Sequence, residues 1–338
     1  MTESSEQGQS SSEQDRQDIR VERGDGVVEV TFDRPHRHNA FTRDMYAQMR
    51  ELCAELAEDR DTRVLVLRGA GGRAFAAGNE ISDFLEQDAV AYEDWIRELL
   101  ESLFALPQVT VAAIDGVCVG GGLAVATHCD LRIATPHSRF GYPIARTLGN
   151  ALAGSIVYRC ASVFGESLTR EMLLASRLVD APRAHAVGAL MSVTDDLDAE
   201  LERVNSAIVH QMGFAEVADR LPKGMDEAGW HAIRPNLAHV SEAAEWWRLV
   251  TGPIEPREFS ADDRAYLSEA ARLLEWSDDP WHALTAALKE ASGRKGKPLF
   301  LPLRQALTGM DHGPDMGELL PLIGESEARA RLASAAAT

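Results

Sequence analysis

In the first part of the chain, apolar positions switch repeatedly between two periods. The alternation in "GVVEVTFD" (26–33) is that of a half-buried strand. Over 43–60, Met45, Met49, Leu52 and Leu56 recur at helical spacing. "RVLVLRGAG" (63–71) is a continuous apolar run closed by a glycine turn, which predicts a buried strand. A helix is expected over 89–106, another buried strand over 109–116 and a short one over 130–135. Strands alternating with helices predict an α/β domain whose strands are covered by helices. Within it, "GVCVGGGLAVATHCDL" (116–131) joins a β-branched stretch, three glycines and a helix of small apolar residues. Such a turn aims unpaired backbone N–H groups at one spot and favours an anion there. Tight packing of strand on helix is the other reading of the glycines.

Past residue 211 the pattern changes. Helical periodicity runs over 243–250, 261–274, 282–292 and 299–308, punctuated by Pro235, Pro253, Pro256, Pro280 and Pro314. Strand signals nearly vanish, so an all-α helical bundle is expected. Composition changes at the same place: five of the six tryptophans (Trp230, Trp246, Trp247, Trp276, Trp281) follow residue 211, and all four cysteines precede it. The expected organisation is a disordered polar tail over 1–19, an α/β domain over 20–211 and a bundle over 212–338. The tail has no apolar core of a secretory signal, and no apolar run is long enough to span a bilayer. Cysteines without a CxxC pattern fit a reduced, cytoplasmic protein without a metal site.

The formal net charge of −19 argues against a generic nucleic-acid binder. The charge is uneven, however. Residues 212–338 hold 14 Lys/Arg against 20 Asp/Glu, a net −6, and residues 1–211 hold 20 against 33, a net −13. Between 289 and 304 lie Lys289, Arg294, Lys295, Lys297 and Arg304 with the single acid Glu290. Arg294, Lys295, Lys297 and Arg304 are candidate phosphate contacts, with Trp246 or Trp247 available for stacking on a base. The plainer readings are a solvated loop and bundle core.

Four stretches of the first part resemble the crotonase superfamily of enoyl-CoA hydratases and isomerases. They are "DRPHRHNAF" (33–41), "RAFAAGNEISDF" (73–84), "AAIDGVCVGGGLAVATHCDLRIAT" (112–135) and "RFGYPIARTLGN" (139–150). With "LLASRLVDAPRAHAVGAL" (173–190), the likeness covers roughly residues 20–205. The resemblance implies a ββα spiral fold, and an acyl-CoA thioester whose carbonyl becomes an enolate between the N–H groups of Asn79 and Gly121. Preorganised donors at such a point are worth several kcal/mol. It also implies that His36, Arg37, Asn39, Ala40 and Ala77 lie along the coenzyme A moiety. Coenzyme A enters as part of the substrate, no cofactor is permanently bound, and a homo-trimer or hexamer is the implied assembly.

In hydratases of this family one glutamate lies three residues after the central glycine, and another follows the proline of the "FG-x-P" loop. Here those positions are Ala124 and Ile144. Hydration needs a base for water and an acid for carbon, so ordinary hydration in the usual geometry is in doubt. The nucleophilic aspartate of the family's dehalogenases would fall near Ala151. Arg146 and Glu80 are the first candidates for relocated acid/base or substrate contacts. Asp83, Thr147, Asn150 and His128 follow, the last more often a buried structural histidine.

The second part resembles the C-terminal anticodon-binding region of bacterial glutamyl-tRNA synthetases, over about residues 212–333. The likeness rests on "FAEVADRLPKGMDEAGWHAIRPNLAHVSEAAEWWRLVTGPIEP" (214–256) and "GRKGKPLFLPLRQALTGMDHGPDMGELLPLIG" (293–324). No "HIGH"-type or "KMSKS"-type sequence occurs, so charging of tRNA is not expected. The expected function is a lyase or isomerase of acyl-CoA, as in fatty acid metabolism. The alternatives are a tRNA-associated protein and a catalytically inactive fusion that binds acyl-CoA.

Overall fold

The computed structural model describes residues 18–80, 89–143 and 152–337. The chain divides into two compact units between Glu202 and Arg203.

The first unit carries β1 (Ile19–Gly24), β2 (Val27–Phe32), α1 (Arg43–Glu58), β3 (Val64–Gly69), β4 (Ala74–Ala76), α2 (Ala89–Phe104), β5 (Val109–Ile114), β6 (Val117–Val119) and α3 (Gly121–His128). There follow β7 (Leu131–Ala134), β8 (Arg139–Gly141), α4 (Gly154–Phe164), α5 (Glu166–Leu174), β9 (Val179–Asp180), α6 (Ala181–Ala186), β10 (Ser192–Val193) and α7 (Leu197–Val209), a helix that runs across the boundary into the second unit. Six strands form one sheet in the order β1-β2-β3-β5-β7-β10, and four form another in the order β4-β6-β8-β9. The strand pairs β3/β4, β5/β6 and β7/β8 each place one strand in each sheet, which is the repeating step of a ββα spiral.

The sequence accounts for the large sheet. All four apolar residues of β3 are buried, as befits a parallel strand held between β2 and β5. Strand β1 is different. It pairs antiparallel with β2 at the sheet edge, and only Ile19 of its six residues is buried. Ile19 therefore belongs to the sheet rather than to the tail, whose residues 1–17 lie outside the described residues. Helix α1 is opened by Thr42, whose side chain accepts a hydrogen bond from Met45 N–H. It buries Met45, Tyr46, Met49, Leu52, Cys53 and Leu56. Helix α3 is apolar all round, and Gly122 through His128 are buried.

The second unit is helical: α8 (Phe214–Val217), α9 (Glu227–Ile233), α10 (Ala243–Thr251), α11 (Ala261–Leu273), α12 (Pro280–Ser292), α13 (Lys297–Thr308), α14 (Met316–Ile323) and α15 (Glu325–Ala337). Asp226, Ser260, Asp279 and Asp315 cap four of these helices with side-chain oxygens, and Gly293 and Gly309 end two in the left-handed conformation. Trp230 is fully buried, and its indole N–H donates to Met212 O at 3.0 Å. Val209 and Met212 pack in the same cluster as Trp230, Ile233 and Trp247. The second core thus begins before residue 211, where composition alone placed the change. Arg331 is buried among helix ends and donates to Leu249 O at 2.5 Å, Leu307 O at 2.7 Å and Val250 O at 3.3 Å.

Candidate active site

The glycine run lies where β6 passes into α3. Gly120 has φ 55° and ψ −123° and offers no side-chain cap. The first intrahelical bond is Ala124 N–H to Gly120 O at 3.0 Å, so the N–H groups of Gly121, Gly122 and Leu123 precede it. A Cβ on Gly122 would overlap Ala76 O and lie 2.8 Å from Ala76 Cβ. That glycine serves close packing on β4. A Cβ on Gly121 would overlap Asn79 Oδ1 and lie 2.7 Å from the Tyr46 hydroxyl. That glycine leaves room for polar groups. The packing reading of the triplet holds at Gly122.

The 74–80 segment comes up beside this helix end. Phe41 and Asn79 form a parallel bridge: Phe41 N–H donates to Gly78 O at 2.8 Å, and Glu80 N–H donates to Phe41 O at 2.8 Å. Peptide groups of an extended segment alternate in direction, so Asn79's own N–H is turned away from Phe41. Among the described residues no partner is found for it. A Cβ on Gly78 would lie 4.0 Å from Gly121 N, which measures how near the two backbones come. Phe32 pins this corner, packing edge-on to Phe41 at 4.7 Å and to Phe75 at 5.4 Å between ring centroids.

The far end of α3 is closed by cations. Arg132 donates to Ala126 O at 3.2 Å and Cys129 O at 2.7 Å, and Arg159 donates to Thr127 O at 2.7 Å. These charges neutralise the negative end of the helix dipole and leave the positive end at Gly121.

The other predicted residues fall in several environments. Ala124 is buried in α3, one turn beyond Gly121. His128 lies about 10 Å further along the axis than Gly121. Its Nδ1 bonds Ala124 O at 2.7 Å; a carbonyl only accepts, so Nδ1 carries the proton. Burial holds His128 below the ordinary histidine range, with Arg159 adding to the effect. Glu80 pairs with Arg34 at 3.3 Å, and Arg34 also reaches Asp18 at 3.4 Å. Asn39 is fully buried: its amide donates to Ala70 O at 3.0 Å and Ala74 O at 2.7 Å, and its Oδ1 accepts from Arg34 N–H at 2.9 Å. That side chain is consumed in joining loops, so any contact with coenzyme A falls to its backbone. His36 and Arg37 are exposed, and Ala40 and Ala77 are half-buried beside them in sequence and through Ala77 N–H to His38 O at 3.0 Å. Asp83, Ile144, Arg146, Thr147, Asn150 and Ala151 lie outside the described residues.

In the second unit the four basic candidates part company. Arg294 is engaged by Asp263 at 2.6 Å and lies 4.3 Å from the centre of the Tyr266 ring. Arg304 is half-buried and donates to Pro314 O at 3.0 Å. Lys295 and Lys297 are exposed. Trp247 is a core residue, and Trp246 packs partly buried against both clusters of this unit.

Sequence reasoning missed Tyr46. It read only as one more position of a helix; its hydroxyl donates to Asn79 Oδ1 at 2.7 Å. The available signal was an aromatic hydroxyl in the first turn of a helix, on the same buried face as Met45, Met49 and Cys53.

A family model described as enoyl-CoA hydratase/isomerase matches residues 22–223, and one described as anticodon binding domain matches 233–336. The crystal structure of an enoyl-CoA hydratase/carnithine racemase from Magnetospirillum magneticum is similar at 30% identity and TM-score 0.55, over 83% of this chain and 94% of that one. The structure of Pseudomonas aeruginosa DspI is similar at 28% identity and TM-score 0.55, over 63% of this chain and 87% of that one. The C-terminal part aligns with Glutamate–tRNA ligase 2 of Erythrobacter litoralis (strain HTCC2594), 76% identical over 139 residues. That match covers 41% of this chain and 31% of the ligase, so the chain spans about a third of the length of the curated relatives it matches. The chain belongs to the enoyl-CoA hydratase/isomerase (crotonase) family, and its C-terminal part matches an anticodon binding domain.

Proposed function

We propose that the first unit acts on acyl-CoA thioesters by holding the developing enolate between the N–H groups of Asn79 and Gly121. The observation that carries this is the approach of the Gly78–Asn79 backbone to the open N-terminus of α3, with Asn79 N–H turned away from its bridge partner. Donors fixed before the charge appears need no reorganisation during reaction. The missing carboxylates at Ala124 and Ile144 favour isomerisation or carbon–carbon or thioester cleavage over hydration. Arg146 and Glu80 remain the candidates for substrate contact, with Glu80 working from its pair with Arg34. The exposed apolar side chains Tyr158, Leu174, Leu178 and Val187 support a homo-oligomer of trimer type, which sedimentation would show as a multiple of the chain mass.

The test is turnover of crotonyl-CoA and of 3-enoyl-CoA thioesters of several lengths, with coenzyme A binding followed by calorimetry. Isomerisation without hydration is expected. Binding without turnover of any thioester would reduce this unit to an acyl-CoA-binding scaffold.

The match over 233–336 and the exposed Lys295 and Lys297 favour a second role, contact with tRNA phosphates. Retention of tRNA is expected to weaken with salt, and K295A/K297A is expected to reduce the slope of log affinity against log salt by about 1 to 2. An unchanged slope would remove the lysines from the contact.

A further inference from the structure

Asn79 is held at both ends of its residue. Its backbone is fixed by the bridge to Phe41, and its side chain by Tyr46. Tyr46 lies in the first turn of α1, at 2% exposure, with Phe41 at 5.1 Å and Trp95 at 6.1 Å between ring centroids. Its hydroxyl is 2.7 Å from Asn79 Oδ1; an amide oxygen only accepts, so Tyr46 donates. Burial raises the Tyr46 hydroxyl well above the ordinary phenol range, with Tyr92 adding to it, so the donor keeps its proton. With Oδ1 as the acceptor, the rest of the amide is left for other contacts. Asn79 Oδ1 faces Tyr46, and Nδ2, with two N–H donors, has no partner among the described residues. Asn79 as a residue is half-buried. The carboxamide oxygen and its carbon lie beside Gly121, in the space a Cβ would fill.

We infer that Asn79 serves the site twice, through its backbone N–H and through its Nδ2 amide, and that Tyr46 is the positioning residue that holds the amide there. This rests on the reading of Asn79 and Gly121 as enolate donors. It deepens that reading by adding a side-chain donor beside the two backbone ones. It also explains why Gly121 carries no side chain although its neighbour Gly122 alone is required for packing on β4. The group recognised is an oxygen that gains negative charge, the thioester oxygen of an enolate.

The experiment uses acetoacetyl-CoA bound to the full chain. Its enolisation breaks the C2–H bond, sends the proton to solvent and leaves the electron pair delocalised onto the two oxygens. The enolate absorbs in the ultraviolet, so its ratio to the keto form is read directly at fixed pH. The wild-type protein is expected to raise that ratio over free ligand. Y46F and N79A are each expected to lower it about fivefold, and the double variant no further than N79A, because Tyr46 acts only through Asn79. N79L, close in volume to asparagine and without N–H donors or charge, is expected to lose the effect as well, which covers a failure of N79A to fold.

A wild-type ratio in N79A or in N79L overturns the side-chain donor. A wild-type ratio in Y46F alone, or additive losses in the double variant, overturn the positioning role. A wild-type protein that binds acetoacetyl-CoA without raising its enolate, or does not bind it, overturns the enolate reading itself and this inference with it.

Discussion

Helix α3 follows Gly120 (φ 55°, ψ −123°) and helix α13 follows Gly296 (φ 59°, ψ −138°), nearly the same backbone conformation in two different units. Neither glycine supplies a side-chain cap. Beyond that the helices diverge. In α3 the first-turn N–H groups of Gly121, Gly122 and Leu123 precede the helical ladder. In α13, Leu299 N–H already bonds Gly296 O at 2.9 Å, and Pro298 has no N–H to offer. Positive charge comes there from the exposed Lys295 and Lys297. The first arrangement is a fixed set of dipoles suited to charge that develops at one point. The second is a pair of hydrated cations suited to a phosphate whose position varies. One local start of a helix therefore meets two different surroundings, fixed peptide dipoles in one unit and exposed lysines in the other.

The C-terminal ends repeat the contrast. Arg132 and Arg159 close one short helix, whereas Arg331 closes α10 and α13 together. The largest expected effect is at Arg331. R331A leaves two buried carbonyls and one part-buried carbonyl without their donor and is expected to destabilise the second unit by about 3 kcal/mol. Its partner Glu327 is 50% exposed, so the ion pair itself contributes little of this. Urea unfolding followed by tryptophan fluorescence reads it, since five of six tryptophans lie in that part of the chain. A loss below about 1 kcal/mol would mean that water replaces the guanidinium.

Next comes the glycine pair. G121A pushes the Asn79 amide aside, and kcat/KM for the thioester reaction is expected to fall about 100-fold. G296A meets nothing within 4 Å and suffers only backbone strain, about 1–2 kcal/mol of unfolding stability, with thioester turnover unchanged. Equal effects of the two substitutions on turnover would dissolve the distinction between the helices.

The smallest effect is at His128. Its folded pKa lies below the ordinary 6.5 because burial opposes the charged form. As pH falls through 6.5 the unfolded chain takes a proton that folded His128 resists. Stability of the first unit should therefore decline toward acid, by at most about 1.4 kcal/mol per pH unit, until folded His128 titrates. H128Q is expected to flatten that slope, measured by hydrogen exchange along α3 as a function of pH. An identical slope in the variant would assign the acid sensitivity to other groups.

Much of the large sheet was legible because β2, β3 and β5 are long enough to show a period or an apolar run. The second sheet was not. Strands β4, β6 and β8 have three residues each, too few positions for any period, and they are recognised only by pairing with one another. Strand β1 hid for another reason: an edge strand with one buried residue has no apolar face to read. Among the basic residues, Arg294 and Lys295 are neighbours of the same charge. Asp263, far back in the chain, occupies one and leaves the other in water.

The sequence by itself determined the two-part organisation, the order of the long elements, the absence of glutamate at positions 124 and 144, and the glycines that open α3. These are local properties, carried by residue type and by spacing along a single element. Tertiary structure alone decided that Asn79 meets Gly121, that Tyr46 bonds the Asn79 amide, that the Asn39 side chain is spent inside the fold, and which cations stay exposed. Each of these depends on residues from separate elements reaching one point, and periodicity reports which face of an element is buried but never what it is buried against.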